Sequence, residues 1–304
     1  MPSRALLAAL CAAFAATAAA APLQPDAAKN CRSCAEWNQP QKPFLLYGKS
    51  WYVGTRGLSS VLIDSGDGLV LLDGALPESA PLIAANIKEL GFRLEQIKYI
   101  AVSHAHYDHV GGVAALARAS GATVVASARN AQALAAGLPP KDDPQADFGA
   151  DANAFPKVDE VKILADGETL RIGHLALTAH YTPGHTPGAT SWSWPDCDGE
   201  DCRDLVYADS LNAVSDDVYR FGGADGNGGI AASFRASIAR VAALPCDVLI
   251  PVHPGFADFD GKLAQRAKGA KPDPFIDAGA CKRYAETALK KLDERLNEER
   301  AAAR

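Results

Sequence analysis

The run His104-Ala105-His106-Tyr107-Asp108-His109-Val110 sets the tightest limit on what this chain can become. It places three imidazoles and a carboxylate within six positions, after the mostly apolar run Ile97 to Ser103 and before Gly111-Gly112 and a helix-like segment. In a strand alternate residues share a face, so His104 and His106 can address one centre where the strand ends. Asp108 and His109, on the turn into the helix, can then address a second centre beside the first. Imidazoles and a carboxylate packed this closely are metal ligands by residue type, a meaning that one isolated histidine would not carry.

Two further histidines stand where strand-like runs deliver a residue to a tight loop. His185 lies in Thr182-Pro183-Gly184-His185-Thr186-Pro187-Gly188, whose prolines and glycines fix the backbone after a strand ending near Ala179. His253 ends the run Val248 to Val252 and precedes Pro254-Gly255. With the first cluster present, both are expected to be ligands. His174 and His180 lack such loops and read as ordinary surface or hydrogen-bonding residues.

The remaining pattern is strands followed by helices, twice. Strands at Phe44 to Tyr47, Trp51 to Val53, Ser60 to Ile63 and Leu69 to Leu72 precede a helix at about Glu78 to Leu90. The strand Ile97 to Val102, the histidine loop, a helix at about Val110 to Ala119 and the strand Thr123 to Ala126 follow. Then come strands at Val161 to Leu164, Thr169 to Ile172, Leu175 to Ala179, Thr190 to Trp194 and Leu205 to Ala208, and a helix at about Ile230 to Leu244. The strand Val248 to Val252 and a helix from about Lys282 to Arg300 complete the chain. This order predicts an α/β fold of two sheets packed face to face with helices outside each, the histidine loops meeting along one edge. The segment Leu138 to Lys157, rich in Pro, Asp and Gly, is long for a structureless connection, which marks it as a mobile, functional wall.

Composition narrows the function classes. Of 304 residues 48% are hydrophobic, ample for a sizeable core. The formal charge of -6, with no Lys/Arg cluster near the histidines, disfavours a nucleic-acid partner. Residues 1–21 read as a signal peptide: Arg4 supplies the positive start, Ala5 to Ala16 the apolar stretch, and Thr17 with Ala18 to Ala21 the small residues a signal peptidase needs. Cleavage is expected near Ala20 or Ala21. Cys11 follows the bulky Leu10, which argues against a lipoprotein signal. That leaves residues 22–304 as a single domain, periplasmic or secreted, without membrane contact after cleavage because no later run reaches about 18 unbroken apolar residues. With no heptad and no obvious apolar stripe, a monomer is expected.

Export permits disulfides, and six cysteines remain once Cys11 is gone: Cys31, Cys34, Cys197, Cys202, Cys246 and Cys281. Cys197 and Cys202 bracket a turn-rich insert between two strand-like runs and are expected to staple a hairpin. Cys246 starts a strand and Cys281 the last helix, so joining them would pin that helix to the sheet. Cys31 and Cys34 read as a local bridge, two free thiols or a redox pair, and their position outside any βαβ pattern argues against the redox role.

His104-x-His106-x-Asp108-His109, then Gly184-His185-Thr186, then a strand-terminal His253 resemble the metallo-β-lactamase superfamily, and within it the subclass B3 metallo-β-lactamases. Further stretches carry the subclass likeness: Trp51-Tyr52-Val53-Gly54-Thr55, Asp143-Pro144-Gln145, Tyr207-Ala208-Asp209-Ser210-Leu211, and Leu244-Pro245-Cys246-Asp247-Val248-Leu249 with His253-Pro254. The likeness covers nearly all of the chain after the signal. It implies an αβ/βα four-layer sandwich with two Zn2+ per chain at the sheet edge, one held by His104, His106 and His185 and the other by Asp108, His109 and His253. Ser210 stands where other zinc β-lactamases place a cysteine ligand, which frees it to hold the carboxylate of the antibiotic. A small hydroxyl residue two positions on helps in similar enzymes; this chain departs with Asn212. Gln145 is the candidate substrate contact from the wall segment. Some relatives carry a cysteine in the loop after Val53-Gly54-Thr55, where this chain has Arg56, which favours pairing of Cys31 with Cys34.

The implied activity is hydrolysis of the lactam amide of penicillins, cephalosporins and carbapenems, small-molecule substrates, by hydroxide generated between the zinc ions, with antibiotic resistance as the outcome. Asp108 would also orient the nucleophile, and Tyr219 would add a donor near the developing oxyanion. A glyoxalase-type thioesterase would use the same histidines, with a carboxylate bridging the metals at about Asp209. The export signal and the absence of a recognisable glutathione-binding basic tail stand against it. A lactone hydrolase shares the metal chemistry. A secreted zinc-binding protein without catalysis would not need to keep all six ligands.

Overall fold

The computed structural model describes residues 23–223 and 229–302. The segment read as a signal peptide lies outside the described residues. The first sheet runs β1 (Phe44–Tyr47), β2 (Ser50–Tyr52), β3 (Val61–Asp64), β4 (Leu69–Leu72), β5 (Ile97–Ala101), β6 (Thr123–Ala126) and β7 (Val161–Ile163), in that spatial order. Short turns make β1 to β4 antiparallel, whereas β4 to β7 are parallel. Parallel neighbours need a crossover, and the helices Ala80–Glu89, Val113–Ser120 and Ala128–Ala136 supply it. The second sheet holds β8 (Thr169–Ile172), β9 (Leu175–Tyr181), β10 (Thr190–Asp198), β11 (Asp201–Ala208) and β12 (Val248–Pro251), in the order β12-β11-β10-β9-β8. Its one parallel pair, β11 with β12, is crossed by the helix Ala231–Ala243.

Side-chain alternation sorts these strands into four layers. Val61, Ile63, Val70 and Leu72 point inward and meet Leu177, Trp192, Trp194, Tyr207 and Ile250 from the other sheet. Their neighbours Leu62, Leu71 and Ile100 point outward onto Ile83, Ile87 and Leu116 of the covering helices. On the second sheet Val206 and Leu249 face outward onto Phe234, Ile238 and Leu292. Because both faces are covered, β3 and β4 read as continuous apolar runs rather than alternating ones. Polar tips tie the sheets together: Trp192 Nε1 donates to the Val102 carbonyl at 3.2 Å and Trp194 Nε1 to Ser50 Oγ at 2.9 Å. This is the αβ/βα arrangement expected of the sequence.

Three local differences have physical causes. The helix read over Val110 to Ala119 is two, Tyr107–Val110 and Val113–Ser120. Between them the backbone presses on the turn after β4, where a Cβ on Gly111 or Gly112 would come within 2.3 Å of Pro77 Cδ or the Gly74 carbonyl. The helix Ala128–Ala136 escapes the hydrophobic pattern because it buries only Asn130, Ala133 and Leu134. Its punctuation was present, since Ser127 Oγ caps the Asn130 N–H and Gly137 closes it in a left-handed conformation. The third difference is the helix Phe259–Ala267, which buries only Phe259 and is capped by Asp258.

Disulfides join Cys31 to Cys34, Cys197 to Cys202 and Cys246 to Cys281. The last spans 35 residues and fastens the helix Ala280–Ala302 to the start of β12. Closing a loop of that length restricts the unfolded chain most, so Cys246→Ser with Cys281→Ser is expected to lower stability by about 3 kcal/mol in urea titration. Midpoints equal to those of the wild type would disprove this.

Candidate metal centre

Strand β5 ends at Ala101, so loop backbone rather than strand alternation sets His104 and His106. That backbone is fixed from both sheets. The Ser103 carbonyl accepts from the Thr190 N–H at 2.9 Å and from Asn130 Nδ2 at 3.0 Å. The Ser103 N–H donates to Asp73 Oδ1 at 2.7 Å, and the His109 carbonyl accepts from the Gly74 N–H at 2.8 Å. Held this way, the imidazoles of His104, His106 and His185 form a near-equilateral triangle with ring centroids 4.8, 4.9 and 5.0 Å apart. His109 lies 4.2 Å from His104 and 4.9 Å from His253 by the same measure.

Four of the five rings are oriented from behind by a polar partner. His104 Nδ1 sits 2.6 Å from Asp209 Oδ1, and His106 Nε2 sits 3.1 Å from Asp143 Oδ1. His185 Nδ1 donates to the Asn212 carbonyl at 2.9 Å, and His253 Nδ1 to the Gly57 carbonyl at 3.3 Å. His109 is the exception: its Nδ1 is buried without a hydrogen bond, 3.8 Å from Asp73 Oδ2. The opposite nitrogens are left for the cleft, the disposition of metal-ligating histidines. His104 Nε2 is buried with no hydrogen-bond partner, a cost of about 1–3 kcal/mol that a metal ion there would remove. One donor group comprises His104, His106 and His185, with donor atoms within 4.8 Å of one another. A second joins Asp108 and His109 either with His104 or with His253, whose Nε2 is 3.3 Å from His109 Nε2 and 3.5 Å from Asp108 Oδ2. The His253 grouping is the more coherent, because His104 Nε2 already serves the first triad.

Burial sets the protonation states. It pushes His104 well below the ordinary histidine value, His185 down to about 3 and His253 down to about 4, so these rings are neutral at pH 7 and fit to ligate. Burial opposes charge on Asp108 too, but His109 and His253 outweigh it and keep the carboxylate ionised. Burial raises Asp209, in contact with His104, well above the carboxylate range.

The open face is a cleft of about 870 Å³ whose lining includes His106, Asp108, His185, His253, Ser210, Asn212 and Gln145. Ser210 Oγ accepts from the Asn212 N–H at 3.4 Å. Gln145 is held in the wall, its N–H on Asp143 and its carbonyl on Asn153 Nδ2 at 2.8 Å. The stretch read as structureless contains two short helical turns, Ala146–Phe148 and Ala150–Asn153. Tyr219, expected as an oxyanion donor, packs its ring edge-on against Phe221 with centroids 5.3 Å apart. The partners the sequence reading missed are Asp73 and Asp143. Asp73 had a signal, a carboxylate closing the apolar run Leu69 to Leu72, and it adopts a left-handed backbone at φ 56°. Asp143 stood only inside the Asp-Pro-Gln stretch.

Residues 53–253 match the family described as Metallo-beta-lactamase superfamily, and the chain belongs to it. Within that class, the solved structures it resembles are subclass B3 metallo-β-lactamases. One, isolated from a soil metagenome library, is 45% identical over 88% of this chain and 99% of its own, with a TM-score of 0.82. Another, from Bradyrhizobium japonicum, is 35% identical over 90% and 100%, with a TM-score of 0.80. A curated hydroxyacylglutathione hydrolase of Anaeromyxobacter dehalogenans is 32% identical over 75% of this chain and 69% of its own length. For that of Rhodobacter capsulatus, 33% identical, the shares fall to 42% and 39%, so the chain spans well under half of that relative.

Removing an orienting partner should cost metal. Asp143→Ala is expected to weaken metal affinity about 10- to 100-fold in chelator competition. Unchanged affinity would show that His106 needs no support. Asp216 clasps two cleft walls: its carboxylate accepts from the N–H groups of Asp147, Val218 and Tyr219, and its own N–H donates to the Pro144 carbonyl at 3.0 Å. Burial opposes its charge, but those backbone bonds prevail and hold its pKa below the usual value. A depressed folded pKa gives stability present above about pH 4 and lost as pH falls through the folded value. Asp216→Ala is therefore expected to cost about 2 kcal/mol at neutral pH and less below about pH 4. A penalty independent of pH would rule out the charge-assisted clasp.

Proposed function

We propose that residues 22–304 act as one exported domain that hydrolyses the lactam amide of β-lactam antibiotics and so confers resistance. The supporting observation is the clustering of five imidazoles and Asp108 at the floor of one cleft, which His106, His185, His253 and Asp108 line, in a chain 45% identical to a subclass B3 enzyme over 99% of that enzyme's length. His104, His106 and His185 would hold one zinc ion, and Asp108, His109 and His253 a second. Bound zinc supplies a water acidified towards neutrality and a Lewis acid for the lactam carbonyl. Asp108, kept ionised, orients that water. Ser210 and Asn212 present neutral donors to the substrate carboxylate, and Gln145 contacts the substrate from the wall. The neutral imidazoles of His104, His185 and His253 let these ligands bind without first losing protons.

The thioesterase reading needs a carboxylate between the metal ions. Asp209 instead lies against His104 Nδ1, on the side away from the buried Nε2, and joins neither donor group. This observation weighs with the higher identity to the B3 structures. The decisive experiment compares a chromogenic cephalosporin, a thioester and a lactone as substrates for purified protein, with and without a chelator. Fast β-lactam turnover is expected, abolished by chelation, restored by zinc, with two equivalents bound by elemental analysis. Preference for the thioester or lactone would move the function while keeping the metals.

A further inference from the structure

Among the described residues lining the cleft Arg56 is the single Lys or Arg, alongside the acids Glu36, Asp108 and Asp260. Its backbone is tightly fixed. The Arg56 N–H donates to the Gln39 carbonyl at 2.9 Å, the Gly57 N–H to the Trp37 carbonyl at 3.1 Å, and the Thr55 N–H to the Leu58 carbonyl at 3.0 Å. Thr55 Oγ1 also donates to the Trp37 carbonyl, and Tyr52 OH to the Thr55 carbonyl. The next residue, Gly57, supplies the carbonyl that orients His253. Trp37, beside it, has its ring 5.3 Å from the His253 ring. The arginine is therefore anchored one residue away from a support of the candidate metal centre, on the same cleft wall.

Its guanidinium is occupied only by replaceable groups. Nη2 and Nε bond Asp260 Oδ2 at 2.9 and 3.3 Å, and Nη1 reaches Gln39 Oε1 at 3.5 Å. The two charged side chains are 55% and 62% exposed, a geometry in which solvent screens the attraction and partners exchange easily. A guanidinium fork matches a carboxylate with two parallel hydrogen bonds, and Asp260 itself is such a carboxylate. The other cleft donors suited to a carboxylate, Ser210 and Asn212, are uncharged.

We infer that Arg56 is a specificity-determining residue that selects substrates bearing a free carboxylate, and that Asp260 competes with the substrate for its guanidinium. This rests on the β-lactamase reading, whose substrates are carboxylates. The two residues then act with opposite sign, which a purely structural ion pair would not do: breaking such a pair from either side would harm the site alike.

The test uses the metal-loaded full-length mature enzyme, a cephalosporin with its free carboxylate and the methyl ester of the same compound. Arg56→Gln is expected to raise KM for the acid about fivefold and Asp260→Asn to lower it about threefold, the scale of one screened charge contact. In both variants kcat stays within about twofold and the ester is unaffected. Salt at about 0.5 M should compress the wild-type preference for the acid. Shifts of the same sign in both variants, equal shifts for acid and ester, or no shift would overturn the inference. Calorimetric binding of the same two compounds separates the two readings. Arg56-dependent preference for the acid without any hydrolysis would refute the β-lactamase function and keep the inference, and hydrolysis with binding indifferent to Arg56 would do the reverse.

Discussion

His104 and Asp209 meet across the two sheets with both side chains fully buried and 2.6 Å between Nδ1 and Oδ1. One follows β5 of the first sheet and the other follows β11 of the second, so the contact exists only when the sheets are packed in register. A buried carboxylate stripped of such a partner is costly, which makes the pair a constraint on the packing as well as on the ring. Asp73 extends the same polar seam. It accepts from Ser103 on the first sheet's side and from Tyr207 OH at 2.9 Å on the second, and burial lifts its pKa to about 6. The apolar core around Trp192 and Trp194 holds the sheets together, and this seam fixes where their ends stand.

The cleft walls obey a different physics. They are irregular segments joined by polar staples rather than by apolar burial. Lys29 Nζ donates to the carbonyls of Asp151 and Ala154 at 3.0 and 2.9 Å and lies 4.9 Å over the Tyr107 ring. Asn153 holds Gln145, and Asp216 ties that stretch to the segment that follows Asn212. Each staple contributes about 1 kcal/mol, so the walls are the part of the site most easily reshaped by substitution. The floor, made of buried histidines backed by carboxylates and carbonyls, is not.

Strand positions were largely legible because inward and outward faces are both covered, leaving apolar runs such as Val61 to Ile63 and Leu69 to Leu72 that admit few other readings. The cysteines were legible where a turn-rich insert lay between them, as at Cys197 and Cys202. The helices at Ala128–Ala136 and Phe259–Ala267 were not, since each buries too few large side chains to leave a periodic trace.

The sequence by itself determined the donor set. Histidines and an aspartate at fixed short spacings, and two more histidines in loops shaped by proline and glycine, are local facts that need no tertiary contact to be read. Only the tertiary structure decided which nitrogen faces the cleft in four of the five rings, because that follows from Asp209, Asp143, Asn212 and Gly57, which lie between 27 and 196 residues from the rings they orient. It also decided that Arg56 shares a cleft with Asp260, 204 residues away. A side chain's chemistry is written in its own position, whereas its orientation belongs to whatever the folded chain brings behind it.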